Sequence, residues 1–596
     1  MGKERFFTMK YSDLMADWLV DLGYTHCFSV GGGNIMHLTE SLSRKMKMVA
    51  VVNEVAAGIA AEYFNETSIS EKAFALVTAG PGLTNIVTAI AGAYLESREL
   101  LVIGGQAKTA DLARGLLRQR GIQEIDGVSI VKPITVCSRL IDDVLTADDF
   151  ARLVMSGRTG RKGPVFLEIP LDIQARQVEL TSISREIIDI ASNSASRVSH
   201  VVVEQLVAKF NEANRPVILL GGGVSREVAK DLKSHLASLG CPVMTTWNGA
   251  DRMAADEFNY LGRPNTWGQR SSNMVLQQAD FALIIGSRLG LQQTGFNWQK
   301  FVPKGFVAQI DIDKAELEKG HPKVDMPVLG DANQFLRDFL NERLTSKPDW
   351  LSYAKAVRKA IPMSEAVNKP RPEYISPFDL VKSLSNLCNA TDVIVPCSSG
   401  SAFTSMMQVF EQKSGQTIVT NKGLASMGYG LSGAVGASFA NPDKRVVLVE
   451  GDGGFSQNLQ EIGTLAINNL NVKIFILDDS GYASIRMTQK NYFGGRYVGC
   501  DRETGLGLPI WDKLFQAWGV EVMRLHPGYE LTPEFLAAFV SSEPYAFIVS
   551  VDPEQTYFPK IASRVTEGGT MESNPLHLMT PELTAEETAL HLKYLL

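Results

Sequence analysis

Histidine is scarce in this chain: eight occur among 596 residues, and none falls in HxH or HExxH spacing. That excludes the usual histidine-borne zinc sites. The six cysteines (Cys27, Cys137, Cys241, Cys388, Cys397, Cys500) are scattered without a CxxC pair. They read as reduced, mostly buried thiols rather than a redox pair or a thiolate metal site. No basic excess exists either, since 58 Lys and Arg face 65 Asp and Glu for a net charge of −7. That balance argues against a nucleic-acid partner. No apolar run is long enough to span a membrane, and MGKERFFTMK carries no signal-peptide core, so a cytoplasmic location is expected. Internal repeats and low-complexity tracts are also lacking.

What remains is an ordinary soluble composition, 45% hydrophobic and 21% charged, on a chain too long for one core. Short apolar runs alternate with helical patterns, which predicts α/β domains with parallel sheets. Strands are expected at Ala73–Thr78, Leu100–Ile103, Pro216–Leu220, Phe281–Ile285, Val307–Ile310, Val393–Pro396, Val446–Val449, Lys473–Leu477 and Ala546–Val551, with a helix over Asn85–Leu95. Polar Thr181–His200 reads as a linker, and proline-bearing Ser346–Pro377 as a second connection. From Pro553 the chain reads as irregular up to a short helical pattern at Thr584–Leu596, a flexible tail or an arm folded over a site.

The most informative stretch is Gly451-Asp452-Gly453-Gly454-Phe455, placed where a buried strand ends and followed by the apolar run Val472–Leu477 and Asp478-Asp479. Glycines after a strand let backbone amides approach a phosphate, and the next helix would turn its positive end toward that anion. Asp452 and Asp479 offer hard oxygen ligands to Mg²⁺ or Ca²⁺. A glycine turn flanked by two solvated acids fits the local spacing as well. A second cluster is Val51-Val52-Asn53-Glu54-Val55-Ala56-Ala57-Gly58, a glutamate opening an Ala/Gly-rich helix. By itself Glu54 could simply complement the helix dipole. Ala79-Gly80-Pro81-Gly82-Leu83-Thr84-Asn85 and Gly423-Leu424-Ala425-Ser426-Met427-Gly428-Tyr429-Gly430 complete the set.

Together these segments resemble the thiamine diphosphate (ThDP) enzymes, over essentially the whole chain, and most closely their acetolactate-synthase-like carboligases. The resemblance implies three parallel-sheet α/β domains: a pyrimidine-binding domain over 1–185, a central domain over 196–345 and a diphosphate-binding domain over 370–560, with 561–596 as a C-terminal tail. It implies Glu54 as the carboxyl group that protonates the cofactor pyrimidine, and Met427 as the wedge that bends the cofactor. The cofactor's amine would then lie within ~3 Å of the carbon it deprotonates. It implies Asp452, Asp479 and the backbone carbonyl of Gly481 as Mg²⁺ ligands. Pro81, Asn85, Ser399, Gly400, Gly451, Gly453, Gly454, Tyr482 and Ala483 would be further cofactor contacts, and Gly33 and Gln123 catalytic-pocket residues. Gly163–Pro170, Arg215–Gly223 and Gln309–Asp313 resemble segments that bound the central domain in this branch. There it can hold FAD, and Gly221, Gly222, Gly223, Arg288 and Asp311 are the matching positions. The resemblance further implies a homodimer or homotetramer with active sites at the interface.

The departures concern the acceptor and the metal. Positions where acetohydroxyacid synthases carry an Arg, a Trp and a Lys hold Gln292, Thr488 and Leu171. A buried guanidinium is the natural clamp for an acceptor carboxylate, so its replacement points away from a second keto acid. Together with these replacements, Asp478–Arg486 and Tyr497–Asp501 resemble the acetolactate-synthase-like proteins of bacterial surface-polysaccharide pathways. That resemblance implies decarboxylation of a 2-keto acid, pyruvate above all, and ligation of the two-carbon unit to an acceptor carbonyl such as a nucleotide-activated keto-deoxysugar. Acetolactate synthase, a non-ligating decarboxylase and a pyruvate oxidase are the alternatives. Asn34, His37, Gln292 and Arg486 are candidate acceptor contacts, and each fits a satisfied polar residue or a surface group equally well. Asp478-Asp479 replaces the family's paired asparagines, which tightens the need for a divalent cation; Asp479→Asn is expected to be tolerated.

Overall fold

The computed structural model describes residues 8–187, 196–565, 568–569 and 571–595. Three parallel sheets organise them, and every expected strand is present within a residue or two at most ends. Runs such as Pro216–Leu220 and Pro164–Pro170 are buried along their whole length. Strands covered by helices on both faces must be apolar throughout, which is why these runs show no alternation.

The first sheet has six strands in the order Lys47–Ala50, Tyr24–Ser29, Lys72–Val77, Leu100–Gln106, Pro164–Pro170, Cys137–Leu140. The third has six in the order Thr417–Ile418, Val393–Pro396, Val446–Gly451, Val472–Asp478, Tyr545–Ser550, Glu521–Leu525. Numbered along the chain within each sheet, both follow the same order, 2-1-3-4-6-5. The duplication that the sequence hides is therefore a duplication of topology. The five-stranded middle sheet runs Val243–Thr245, Pro216–Leu220, Phe281–Ile285, Phe306–Asp311, Met326–Leu329. Its order reverses beside Pro216–Leu220, the place where open α/β sheets take ligands at their carboxyl ends.

Two helices join the outer sheets. Glu54–Thr67 packs against Tyr429–Ala440, and one hydrophobic core runs through both, from Phe28 and Ala57 to Ala434 and Ile474. Small residues allow the close crossing: a Cβ on Gly436 would lie 2.0 Å from the Ala60 carbonyl oxygen, and one on Gly433 would lie 2.5 Å from the Tyr63 ring. A buried charge network reinforces it. Arg98 donates to Glu62 (2.8 Å), and Asn421 and Tyr429 donate to the same carboxylate at 3.0 and 2.9 Å. Arg98 also donates to the Thr420 carbonyl at 2.6 Å. Glu66 lies 3.5 Å from Arg226, which pairs with Asp251 at 2.6 Å and donates to the Ile418 carbonyl at 2.8 Å. Arg98 lies 3.7 Å from Glu66, so all three sheet regions share one set of buried and half-buried ions.

Two expectations change. The segment Ser346–Pro377 is more than a connection. It carries the helix Pro348–Ala360, whose Trp350, Leu351, Ala354 and Val357 are buried in a core with strand residues of the middle sheet. The C-terminal segment is also anchored. Arg270 donates to the carbonyls of Met579 (3.0 Å) and Pro581 (2.6 Å), Leu576 and Leu592 are buried, and Tyr594 meets Trp350 and Tyr353 edge-on. The helical pattern is realised over Ala585–His591, closed by a capping box at Thr584. Part of the expected linker lies outside the described residues. All six cysteines are unbridged, and five are buried.

Candidate active site

The strand Val446–Gly451 delivers Asp452 into a fully buried position at the start of a single helical turn, Asp452–Phe455. The expected helix after the glycines is therefore only one turn long. Asp452 Oδ1 accepts from the Gly453 amide at 2.7 Å, while Oδ2 is buried without a partner among the described residues. The neighbouring strand Val472–Asp478 ends beside it and delivers Asp479, 5% exposed. Burial, with Asp479 and Asp478 nearby, holds the Asp452 carboxyl well above the ordinary aspartate range. Burial pushes Asp479 up to about 7, against the opposing pull of Arg486. Two buried carboxylates, both raised by burial and one of them, Asp452, also by the other and with an orphaned oxygen, suit a hard divalent cation.

The loop after Asp479 is built for close approach. Gly481 has φ +136°, and a Cβ there would sit 2.2 Å from the Cys500 carbonyl oxygen; Tyr482 donates its amide to that same oxygen at 2.8 Å. A Cβ on Gly453 would strike the Tyr482 ring at 2.4 Å, so glycine is required where the two motif segments meet. Gly454 lies against Glu450, and Gly451 faces open space. Ser399 precedes the helix Gly400–Val409. Gly400 and Ser401 line a cavity of about 180 Å³ with Ser484, Thr488, Tyr557, Trp247 and Lys422. Lys422 is the sole charged group among its lining residues, and its amine, lowered by burial, stands over the rings of Trp247 and Phe403.

Glu54 opens its helix as expected, behind Asn53, whose side chain accepts from the Val55 amide. It is 8% exposed, and Asn85 Nδ2 donates to its Oε2 at 2.9 Å. Asn85 lies on the helix Pro81–Glu96, with Pro81 at the first turn and Gly80 at φ +65° just before it. Gln123, also at positive φ (59°), lies against that turn: a Cβ on Gly80 would come within 2.5 Å of the Gln123 carbonyl oxygen. Gln123 and Gly33 are themselves on the surface, as is much of Met427 (37% exposed). A group that no motif announced links the two halves. Buried Glu461 accepts from the amides of Val52 and Asn53, both at 3.1 Å. That contact fixes the loop leading into Glu54 against the turn that follows Asp452–Phe455.

The positions matched to a flavin border a different space. Gly222, Gly223, Arg288 and Asp311 line a cleft of about 1510 Å³ at the carboxyl end of the middle sheet, and Gln292, expected at the acceptor, lines it too. Gly221 does not line it; a Cβ there would sit 2.1 Å from the Gly286 carbonyl oxygen, so its glycine serves the crossing of two loops. Lys422 and Trp247 border both this cleft and the small cavity. Asn34 Nδ2 reaches the Ile122 carbonyl at 3.5 Å. Arg486 is buried against Asp479 rather than displayed to an acceptor. Among the described residues no helix is long and apolar enough to cross a membrane.

Comparison with known proteins bears on all three regions. Residues 9–130 match the N-terminal TPP binding domain of the thiamine pyrophosphate enzymes, 203–339 their central domain and 398–550 their C-terminal TPP binding domain. A probable acetolactate synthase large subunit from Methanocaldococcus jannaschii is 30% identical, covering 92% of this chain and 93% of its own. The acetolactate synthase large subunits of Corynebacterium glutamicum and Lactococcus lactis are 28% and 27% identical, covering 91% and 92% of this chain and 87% and 94% of their own. The chain belongs to the thiamine pyrophosphate enzyme family and is a ThDP-dependent, acetolactate-synthase-like enzyme of three α/β domains.

Proposed function

We propose that the protein decarboxylates pyruvate and joins the two-carbon unit to an acceptor carbonyl, with ThDP held through Mg²⁺. The observation that carries the reading is the buried Asp452–Asp479 pair with its orphaned Asp452 Oδ2, set beside the glycine turn. Asp452, Asp479 and the Gly481 carbonyl would hold the cation, and diphosphate oxygens would complete its shell. Gly451, Gly453, Gly454, Ser399, Gly400, Tyr482 and Ala483 would border the diphosphate. Bound ThDP supplies an acidic carbon and an electron sink. The chain's own part is to hold a proton on Glu54 toward the pyrimidine, to keep Glu54 oriented through Asn85, and to keep the reacting carbons out of water beneath Met427.

The surface positions of Gly33, Gln123, Pro81 and Met427 favour a second copy as the missing wall. Exposed Leu116 and Ile122 lie in the Gln123 loop, and apolar groups this bare call for a partner. A homodimer or homotetramer with the site at the interface is the proposed assembly. The large cleft suits a flavin dinucleotide by size and by its position at the reversal of strand order.

Two acceptors have support. The names of the relatives favour a second pyruvate, whose carboxylate Lys422 could meet in the small cavity. Uncharged Gln292 and Thr488 favour a neutral carbonyl such as a keto-deoxysugar on a nucleotide. Incubation with pyruvate, ThDP and Mg²⁺, with and without nucleotide keto-sugars, separates them by product mass. Acetolactate identifies the first, and a sugar heavier by the two-carbon unit identifies the second. Acetaldehyde or acetate alone would overturn ligation.

A further inference from the structure

Each aspartate of the Asp478-Asp479 pair has its own arginine. Arg524 binds Asp478 Oδ2 at 3.1 Å and Asp512 at 2.8 Å, which draws Asp478 into a separate, half-exposed ion cluster. Arg486 lies on the helix Ala483–Phe493, one turn past Gly481. It is 6% exposed, and its Nη2 donates to the Asp479 carbonyl at 2.6 Å and to Asp479 Oδ1 at 3.2 Å. Its Nε and Nη1 are buried and without a hydrogen-bond partner among the described residues. Asp479 is thus the one residue whose atoms accept hydrogen bonds from this guanidinium among the described residues.

That arrangement is costly unless it does something. A buried guanidinium with two idle N–H groups carries a large desolvation penalty, and replacing the whole pair by neutral groups is often harmless to stability. Here the pair sits on a carboxylate that the proposed function assigns to the cation. Asp452 and Asp479 with a diphosphate would give the site one negative charge more than a single aspartate would. The guanidinium offsets that charge and engages Asp479 Oδ1, one of the two oxygens a cation would draw on.

We propose that Arg486 is the internal counter-ion of Asp479, a positioning residue that holds the carboxylate in the cation-free protein and limits how tightly the divalent cation is bound. The proposal rests on the reading of Asp452 and Asp479 as cation ligands. It also changes the expectation for Asp479→Asn. That substitution removes the counter-charge and strands a buried guanidinium, so it is harmful alone and tolerated only together with the loss of Arg486.

A double-mutant cycle on the full-length protein tests this. Wild type, Arg486→Met, Asp479→Asn and the double variant are melted in EDTA without ThDP. The Mg²⁺ dependence of ThDP binding is then followed by tryptophan fluorescence. Arg486→Met should melt about 5 °C or more lower in EDTA, regain most of that with Mg²⁺ and ThDP, and need ~10-fold less Mg²⁺. Asp479→Asn should melt lower and need ~10-fold more Mg²⁺. The double variant should melt higher than either single one, because the coupling between the two sites is absent. Arg486→Lys, which keeps the charge, should keep a Mg²⁺ requirement within about threefold of wild type, and it serves if Arg486→Met does not fold. Additive losses in the double variant, or an unchanged Mg²⁺ requirement in Arg486→Met, would overturn the proposal. Wild type that binds ThDP without any divalent cation would instead overturn the assignment of the cation ligands.

Discussion

Asn85 Nδ2 donates a 2.9 Å hydrogen bond to Glu54 Oε2 across two helix starts, one in the segment before the strand Lys72–Val77 and one after it. An amide that donates to one carboxyl oxygen leaves the other free and fixes its direction. Asn85→Ala should therefore slow CO₂ release ~10-fold while ThDP binding stays within about threefold, since a hydrogen bond to a carboxyl group contributes roughly one to two orders of magnitude at most. Asn85→Asp should be worse, because it sets a second carboxylate against Glu54. Steady-state kinetics beside a ThDP titration checks both. Equal loss of binding and turnover would mean that Asn85 is a cofactor contact alone.

Asp452 should show opposite effects on stability and on binding. Without a cation its carboxyl is held well above the ordinary range by burial and by Asp479 and Asp478, so it is a liability in the empty protein. Asp452→Asn should raise the melting temperature in EDTA and abolish the Mg²⁺-dependent part of ThDP binding. Calorimetric melting with and without Mg²⁺ reads the two effects separately. A variant that melts lower in EDTA and still binds ThDP through Mg²⁺ would remove Asp452 from the cation site.

Glu168 gives a pH signature away from that site. It is 3% exposed, and burial pushes its carboxyl up to about 8 from an ordinary 4.5, with Gln106 pulling the other way. The folded chain therefore keeps a proton that the unfolded chain releases. The stabilisation is full below about pH 4.5 and is lost as pH rises toward 8. Melting temperature should fall between about pH 5 and about pH 8.5, and Glu168→Gln should flatten that slope. Parallel slopes in the two proteins would assign the fall to other groups.

The charge network makes a prediction about domain cohesion. Arg98→Met leaves Glu62 fully buried with Asn421 and Tyr429 as its remaining donors among the described residues, and should cost about 3–5 kcal/mol. Glu62→Gln combined with Arg98→Met should recover part of that loss, because no unpaired charge remains. Urea unfolding monitored by fluorescence measures both.

The parts of this molecule visible in the sequence are those governed by local rules. Unbroken apolar runs mark the buried parallel strands, and glycine marks the sites of close approach, so the sheets and the Gly451–Gly454 turn could be read directly. Glu54 could be placed at a helix start because its local pattern is complete. The rest depends on contacts distant in sequence. Glu461 meeting the amides of Val52 and Asn53, and Arg486 turning back onto Asp479, leave no periodic trace, so Arg486 reads as an acceptor contact from sequence. The shared strand order of the first and third sheets is invisible because topology constrains which runs are apolar, not which residues fill them. The tail reads as irregular because its strands are only two or three residues long and leave no periodicity, although Leu576 and Leu592 anchor it in the middle core.

We propose Glu54 as the group through which this chain activates ThDP for decarboxylation of a 2-keto acid. That role is tested most directly by CO₂ release from pyruvate by wild type and Glu54→Gln, each saturated with ThDP and Mg²⁺. Release by wild type should require both additions, and Glu54→Gln should lose at least ~10²-fold with ThDP still bound. Turnover near that of wild type in Glu54→Gln would contradict it.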